Sequence, residues 1–300
     1  VKILLLGANG QVGSECRRSL SGLGTLVCAT RDGRLSGGGT CEVADLDAPQ
    51  ALAALVERIA PDVVVNAAAY TAVDKAEAEP EAAFRANAEA PAVLAHACAS
   101  SGTYLVHYST DYVFDGRGRR PCLPDDPTAP LGVYGESKLA GEAAIRASGC
   151  PHAILRTAWV YAEHGRNFLL TMLRLARERD ELRVVADQFG TPTPAALIAD
   201  VTAHVVAAPD RPVGTWHLTP HGRTSWHGFA EAIVDGAFAR GLLDKKPRVV
   251  PIATAEFPTP AQRPAWSVLD TASLERDWGL SLPDWHAGLD GVLDALAARA

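Results

Sequence analysis

Positive charge is scarce in this 300-residue sequence: 28 Lys and Arg face 35 Asp and Glu, a formal net charge of -7. No local run of Lys and Arg offsets that balance, so phosphodiester backbones and anionic lipid would be repelled. Nucleic acid and membrane surfaces are therefore not expected partners. Long apolar runs are missing too. The stretch from Ala195 to Ala208, broken by Asp200 and His204, falls short of the roughly 20 residues that span a bilayer. The chain opens on Val-Lys-Ile-Leu-Leu-Leu-Gly, without the charged, apolar and cleavage regions of a secretion signal, and a cytoplasmic location is expected. Cys16, Cys28, Cys41, Cys98, Cys122 and Cys150 show no Cys-x-x-Cys spacing, which argues against a zinc site or a disulfide framework and for reduced structural thiols. Among the nine histidines only His217 and His221 have ligand-like spacing, and Pro220 between them opposes the helix that would bring both to one face, so no metal is expected there. There is no fixed-period repeat, and the Gly37 to Gly39 patch is too short to link domains.

The residues that are present favour a packed core. Nearly half are hydrophobic (48%) and 21% are charged, the balance of a globular protein. Apolar runs suited to buried strands recur at Ile3 to Leu6, Thr25 to Ala29, Val63 to Asn66, Tyr104 to Ser109 and His152 to Arg156. Between them lie Val12 to Leu20, Pro49 to Ile59, Glu81 to Ser100 and Tyr134 to Ala147, each long enough for a crossover helix. This alternation predicts an α/β fold with a doubly wound parallel sheet of the Rossmann type. After about residue 160 the alternation fades and prolines accumulate, from Pro192 and Pro194 to Pro251, Pro258, Pro260 and Pro264. A dinucleotide-binding domain over 1–160 is expected, followed by a smaller mixed substrate-binding lobe over 161–300 with elements returning to the first domain. Late helices are expected at Trp226 to Arg240 and Trp285 to Arg299.

Gly7-Ala-Asn-Gly10-Gln-Val-Gly13 follows the first strand and opens the first helix. Gly7 lets the chain bend, Gly10 lets a pyrophosphate approach the main chain, and Gly13 permits close contact between helix and strand. By composition the triplet is weak evidence; its place at a strand-to-helix junction makes it a dinucleotide fingerprint. The second strand ends near Thr30-Arg31-Asp32, where an acid would hold a ribose 2′-hydroxyl and a guanidinium a 2′-phosphate. Arg31 comes first, so NADPH is expected ahead of NADH, with NADH left open. Asp45-Leu46 and Asn66-Ala67-Ala68-Ala69 end the next two apolar segments and are placed to meet adenine and the nicotinamide half, the small alanines leaving room.

Tyr134 and Lys138 stand four apart at the start of a helical segment, so their side chains share a face. An ammonium beside a phenol stabilises the phenolate and lowers its pKa toward the working range of a general acid or base. Upstream, Ser109-Thr110-Asp111 ends the fourth strand, where a hydroxyl could bond both the phenol and a substrate oxygen. The expected chemistry is proton transfer at a carbonyl.

With these residues in view the chain resembles the extended short-chain dehydrogenase/reductases, and within them the dTDP-4-dehydrorhamnose reductase family. The resemblance is carried by Gly7 to Gly13, Val63 to Ala69, Thr71 to Glu77, His107 to Gly116, Tyr134 to Glu142, Arg156 to Tyr161, Asp187 to Thr193, and Arg263-Pro264 with Ser267 and Leu269-Asp270. These stretches run nearly the full length. The Ser-Thr-Asp-Tyr-Val-Phe and Gln-Phe-Gly-x-Pro-Thr segments are far more selective than the glycine fingerprint. The resemblance implies reduction of the C4 ketone of a dTDP-linked 6-deoxy-hexulose, the last step toward dTDP-L-rhamnose, with hydride from NADPH or NADH. It implies that Tyr134 protonates the developing alkoxide, that Lys138 tunes it and binds the nicotinamide ribose, and that Thr110 supplies the supporting hydroxyl. Gly10, Gln11, Val12, Asp45, Leu46, Ala69, Tyr70 and Thr71 would contact the cofactor; Thr110, Asp111 and Trp159 would face the sugar nucleotide.

Two departures stand out. Family members that dimerise through a metal use glutamates from several segments; Glu15 is present, but Ala195-Ala196 stand where an acid would be needed, so no such metal is expected. Position 70 is Tyr where some relatives carry His. Arg263 is a candidate for gripping the substrate pyrophosphate, because a planar guanidinium matches phosphate geometry. A related 4-keto sugar nucleotide, of the dihydrostreptose or 6-deoxy-L-talose type, remains an open alternative substrate. A non-catalytic dinucleotide-binding subunit and an epimerase or dehydratase are alternatives of other kinds. A homodimer is left open.

Overall fold

The computed structural model describes residues 1–299. Strands β1 (Lys2–Leu6), β2 (Thr25–Thr30) and β3 (Glu42–Val43) alternate with helices α1 (Gln11–Leu20) and α2 (Gln50–Ile59). Then come β4 (Val63–Asn66), the short helices α3 (Val73–Ala76) and α4 (Pro80–Phe84), α5 (Ala90–Ser101), β5 (Tyr104–Thr110), α6 (Val133–Ser148) and β6 (His152–Thr157). The central strands β1, β4, β5 and β6 are buried almost throughout, as expected for a parallel sheet covered on both faces. Glycines in the left-handed region stop α5 at Gly102 (φ 69°) and α6 at Gly149 (φ 71°), where a side chain would be strained.

The second half contains β7 (Val160–Tyr161), α7 (Phe168–Glu178), β8 (Glu181–Val185), β9 (Phe189–Gly190), β10 (Thr193–Pro194), α8 (Ala195–Ala207), β11 (Gly214–His217), β12 (Thr224–Ser225), α9 (Trp226–Ala239), β13 (Arg248–Ile252), α10 (Ala272–Trp278) and α11 (Trp285–Ala297). Seven parallel strands form the main sheet in the order β11-β6-β5-β4-β1-β2-β3. The order reverses at β1, so the ends of β1 and β4 open the crevice in which doubly wound proteins bind ligands. One apolar cluster under the sheet joins Ile3, Leu5 and Val106 to Ile198, Val205, Trp216 and Trp278, while another joins Leu4 and Leu105 to Leu52, Leu94 and Ile145. A third lies off the sheet around Tyr161 of β7, with Leu173, Phe229, Ile233, Trp285 and Leu293 from α7, α9 and α11. Among the described residues no helix is long and apolar enough to cross a membrane.

One expectation from the sequence is corrected. The segment Glu81 to Ser100 is not one regular helix: a π turn at Arg85–Glu89 separates α4 from α5. Pro91 has no N–H for the carbonyl of Asn87, and its ring crowds that carbonyl, so the regular ladder cannot run through this point. Past residue 160, elements return to the main sheet. Helix α8 packs on α1, and β11 adds beside β6. Helix α8 is apolar around most of its circumference and follows Pro192 and Pro194, so it lacks the one-sided pattern that marks a crossover helix.

Helix α6 lies very close to the π turn: a Cβ on Gly141 would sit 2.1 Å from the Asn87 carbonyl oxygen. Gly141→Ala is therefore expected to lower unfolding free energy by about 1–3 kcal/mol, read from the shift in denaturant midpoint. Gly291, on α11, is the control, because a Cβ there would meet nothing within 4 Å. At that position alanine should raise stability by about 0.5–1 kcal/mol.

Candidate active site

The glycine turn has the geometry its sequence implies. Gly7 takes φ +75°, and a Cβ there would lie 2.7 Å from the Ala67 carbonyl carbon at the neighbouring strand end. Gly10 caps α1 in an extended conformation with no side-chain cap, leaving the first helical N–H groups open. Gly13 is buried against the turn, where a Cβ would fall 2.0 Å from the Gly7 carbonyl oxygen. Asn9 fastens the loop, donating to the Arg34 carbonyl (2.8 Å) and accepting from the Ser36 N–H (2.8 Å).

A cleft of about 870 Å³ runs from this turn to the ends of β5 and β6. Gly7, Gly10, Gln11 and Val12 form one wall; Thr30, Arg31 and Leu46 close one end, and Ala67, Ala68, Ala69 and Thr71 line the crevice beside β4. Thr110, Asp111, Tyr134, Lys138 and Trp159 meet at the other end. Four expected residues lie outside this lining. Gly13 is beneath the turn. The Asp45 carboxylate faces Arg31 at 3.6 Å. Tyr70 is turned away: its hydroxyl donates to Glu79 (2.9 Å), and Asn87 holds both its N–H and its carbonyl at 2.9 Å. Arg263 is also outside it: its fork is engaged by Asp74 (3.0 and 2.8 Å) and by Thr259 (2.5 Å).

At the catalytic end, Tyr134 and Lys138 project from the first two turns of α6. Gly135 lets that helix approach, since a Cβ would be 2.3 Å from the Tyr112 carbonyl oxygen. Burial pushes the Tyr134 phenol up to about 12; the Thr110 hydroxyl pulls it down, and the charge of Asp111 pushes it up. The expected lowering of the Tyr134 pKa is therefore corrected: burial outweighs the groups that favour the phenolate. Instead Lys138, buried, donates to the Tyr108 carbonyl at 2.6 Å, and burial lowers its pKa to about 8 against the opposing charge of Glu142.

Behind this pair lie Asn66, expected beside the cofactor, and three polar residues to which the sequence assigned no role at the site. Asn66 accepts from the Ala68 N–H (3.2 Å), which turns its amide nitrogen toward His107 Nδ1 (3.1 Å); His107 Nε2 lies 3.4 Å from Lys138 Nζ. Burial, reinforced by the charge of Lys138, holds His107 well below its usual pKa, so it is neutral. Glu142 is fully buried and doubly bonded by Arg156 (2.8 and 2.7 Å); burial pushes its carboxyl up, but the bond and charge of Arg156, with Ser109 and Arg146, together hold it below its usual value. All four sit inside the stretches that carry the family resemblance, yet their contacts are between strands and helices far apart in sequence.

The Trp159 ring stacks on Trp226 with centroids 3.6 Å apart and planes 8° off parallel. Its backbone is in the left-handed region (φ 46°), which is costly for a tryptophan. Gly190 makes room: a Cβ there would be 2.6 Å from the ring. Trp226 and Arg166 also line the cleft, and neither stood out in the sequence as a site residue. Glu15 is engaged by Arg18 (3.2 Å) and His164 (3.1 Å), and no group of three or more His, Cys, Asp or Glu among the described residues is arranged to hold a metal ion.

A doubly wound sheet with a glycine turn at its first crossover and a Tyr-x-x-x-Lys pair at the far end of one cleft defines an extended short-chain dehydrogenase/reductase. The sequence profile described as the RmlD substrate binding domain matches residues 1–298, and the chain belongs to that family. It is 51% identical over 297 residues to a dTDP-4-dehydrorhamnose reductase of Burkholderia thailandensis, covering 95% of this chain and 96% of that one. A crystal structure of a dTDP-4-dehydrorhamnose reductase from Clostridium acetobutylicum superposes with a TM-score of 0.89 at 37% identity, covering 99% of both chains. Another from Bacillus anthracis, in complex with NADP, gives 0.87 at 32% identity over 98% of both.

Asp111 supplies a pH test of the geometry. Burial raises its carboxyl to about 6 from 3.8, with Ser267 and Thr110 opposing, and its Oδ2 has no hydrogen-bond partner among the described residues. The folded state therefore keeps a proton that the unfolded chain releases between 3.8 and about 6. Stability is lost as pH rises through that window, and the full cost is present above it. Asp111→Asn should raise the melting temperature by a few degrees at about pH 8 and by far less at about pH 4; equal gains at both would contradict the raised pKa.

Proposed function

We propose that this protein is an NADPH-dependent reductase of the C4 ketone of a dTDP-4-dehydro-6-deoxy-L-hexose, converting dTDP-4-dehydro-L-rhamnose to dTDP-L-rhamnose. The observation that carries the proposal is the convergence of Thr110, Tyr134 and Lys138 at one end of the cleft whose other wall is the glycine turn. The names of the relatives and the NADP bound in one of them support the same reading. The residues fit the cofactor: the uncapped start of α1 suits a pyrophosphate, the alanines beside β4 leave space for a ring, and Arg31 is exposed at the adenosine end. NADPH, when bound, supplies hydride to C4.

The chain's own residues do the rest. Tyr134, a protonated phenol across the neutral range, donates its proton to the C4 oxygen as negative charge develops there. Thr110, whose hydroxyl accepts from the Tyr112 N–H (3.1 Å) and donates to Asp111 (3.1 Å), is fixed in place to orient that oxygen. The Lys138 ammonium stabilises the phenolate left behind, and His107 and Asn66 position it. Trp159 packs the sugar against the stack it forms with Trp226. The main sheet and its helices hold the dinucleotide, and the α7, α9 and α11 cluster supports the sugar-nucleotide side.

Purified protein supplied with enzymatically prepared dTDP-4-keto-L-sugar should oxidise one NADPH per product, followed by the fall in nicotinamide absorbance. A product epimeric at C4 would assign the 6-deoxy-L-talose type instead; no oxidation at all would leave a dinucleotide-binding partner and refute the reductase. Tyr134→Phe is expected to lower kcat by about 10²–10⁴ with dinucleotide binding unchanged. Because the Lys138 ammonium is lost near its pKa of about 8, kcat should decline on the alkaline side with an apparent pKa in that region. A flat profile through that range would remove the ammonium from the reaction.

A further inference from the structure

The cleft contains a positive charge that the protein does not neutralise. Arg166 is exposed, lines the cleft, and has neither a carboxylate nor a carbonyl bonded to its guanidinium among the described residues. Glu163 on its own segment and Glu15 on α1 are occupied, the first by Arg299 and the second by Arg18 and His164. Arg31, the other arginine of the cleft, already faces Asp45.

The segment bearing Arg166 is fastened to the first turns of α1. Asn167 donates to the Gln11 side-chain oxygen at 2.7 Å, while its other bonds go to its own loop, at the carbonyls of Ala162 (2.8 Å) and His164 (3.1 Å). His164 lies 3.2 Å from the Ser14 hydroxyl and 3.1 Å from Glu15. At Gly165, between them, a Cβ would come within 2.9 Å of the Gln11 side chain. This clasp holds a free guanidinium in the wall shared with the open N–H groups after Gly10. A guanidinium presents planar paired donors that match phosphate oxygens, and one held beside a helix start adds to the field that already favours an anion there.

We infer that Arg166 clamps the diphosphate of the bound dinucleotide from the side facing the α1 N-terminus, so that cofactor binding draws on the substrate side of the cleft as well as on the glycine turn. The inference rests on the reading of the cleft as a dinucleotide site. Its chemistry is that of any diphosphate, and the diphosphate of a nucleotide sugar is the competing source. Proximity to Gln11 and the glycine turn favours the dinucleotide.

The test is equilibrium binding without turnover. Wild type, Arg166→Ala and Arg166→Lys are titrated with NADPH and with NADH by fluorescence, at low and high salt, and with dTDP by calorimetry. Arg166→Ala should weaken NADPH and NADH by the same factor, about tenfold, with part of the loss restored in Arg166→Lys and the gap between wild type and Ala narrowing in high salt. Affinity for dTDP should not change. A loss confined to NADPH would assign the residue to the 2′-phosphate, a loss confined to dTDP would assign it to the substrate, and no loss would leave it a surface charge; each overturns the clamp. A wild-type protein that binds both dinucleotides yet oxidises no NADPH would sink the proposed reaction while leaving this result standing.

Discussion

The whole active end depends on one buried amine. Lys138 is almost fully removed from solvent; the Tyr108 carbonyl, accepting from it at 2.6 Å, and the charge of Glu142 offset the cost of burying its ammonium. That bond ties α6 to β5. With the helix anchored there, the first turn of α6 faces the last residue of β5, and Tyr134 meets Thr110. Gly135 and Gly141 allow the approach by leaving out side chains where backbone carbonyls press in. Glu142 and Arg156 extend the same anchoring one strand further, as a buried ion pair between α6 and β6. Removing either partner would leave an uncompensated charge in the core, which is why such pairs act as fixed pins rather than as sources of net stability.

The cluster of α7, α9 and α11 is built on different physics. It is apolar, with Tyr161, Phe229 and Trp285 among aliphatic side chains, and Trp159, packed against it, reaches into the cleft in an unfavourable backbone conformation. Contacts with Trp226 and the bare Gly190 compensate for that conformation. The polar end of the cleft is thus set by hydrogen bonds between regular elements, and the apolar end by packing around one strained residue. Where the two meet, the segment from Glu163 to Asn167 bridges the glycine turn and the apolar cluster.

Much of this architecture is legible in the residues alone. Continuous apolar runs locate the main strands to within a residue or so, because strands covered on both faces show no alternation to blur. The positions of Gly7, Gly10 and Gly13 are readable because each backbone requirement excludes nearly every other residue. The partner of Arg263, Asp74, is not readable: it lies 189 positions away, and spacing along a chain says nothing about a contact of that kind. Tyr134 and Lys138 are recognisable as a pair, but the sign of their electrostatics is not. Burial dominates both groups, and burial is a property of the packed molecule. That elements return to the first domain is expected from the residues, but that α8 is one of them is not readable: a helix apolar on most sides carries no directional signal.

The π turn at Arg85–Glu89 has an evolutionary corollary. It holds one more residue than a regular helical turn, and that extra residue swings Asn87 inward to grip Tyr70 and Ser137. Losing a single residue anywhere in the turn would let the helix relax into the commoner form, rotating the downstream half by about 100°. Asn87 would then leave its place beside the wall of the cleft. Helical segments usually absorb point changes more easily than length changes, and here the contrast should be extreme: lineages of this protein can be expected to vary in composition through α4 and α5 while keeping their length fixed.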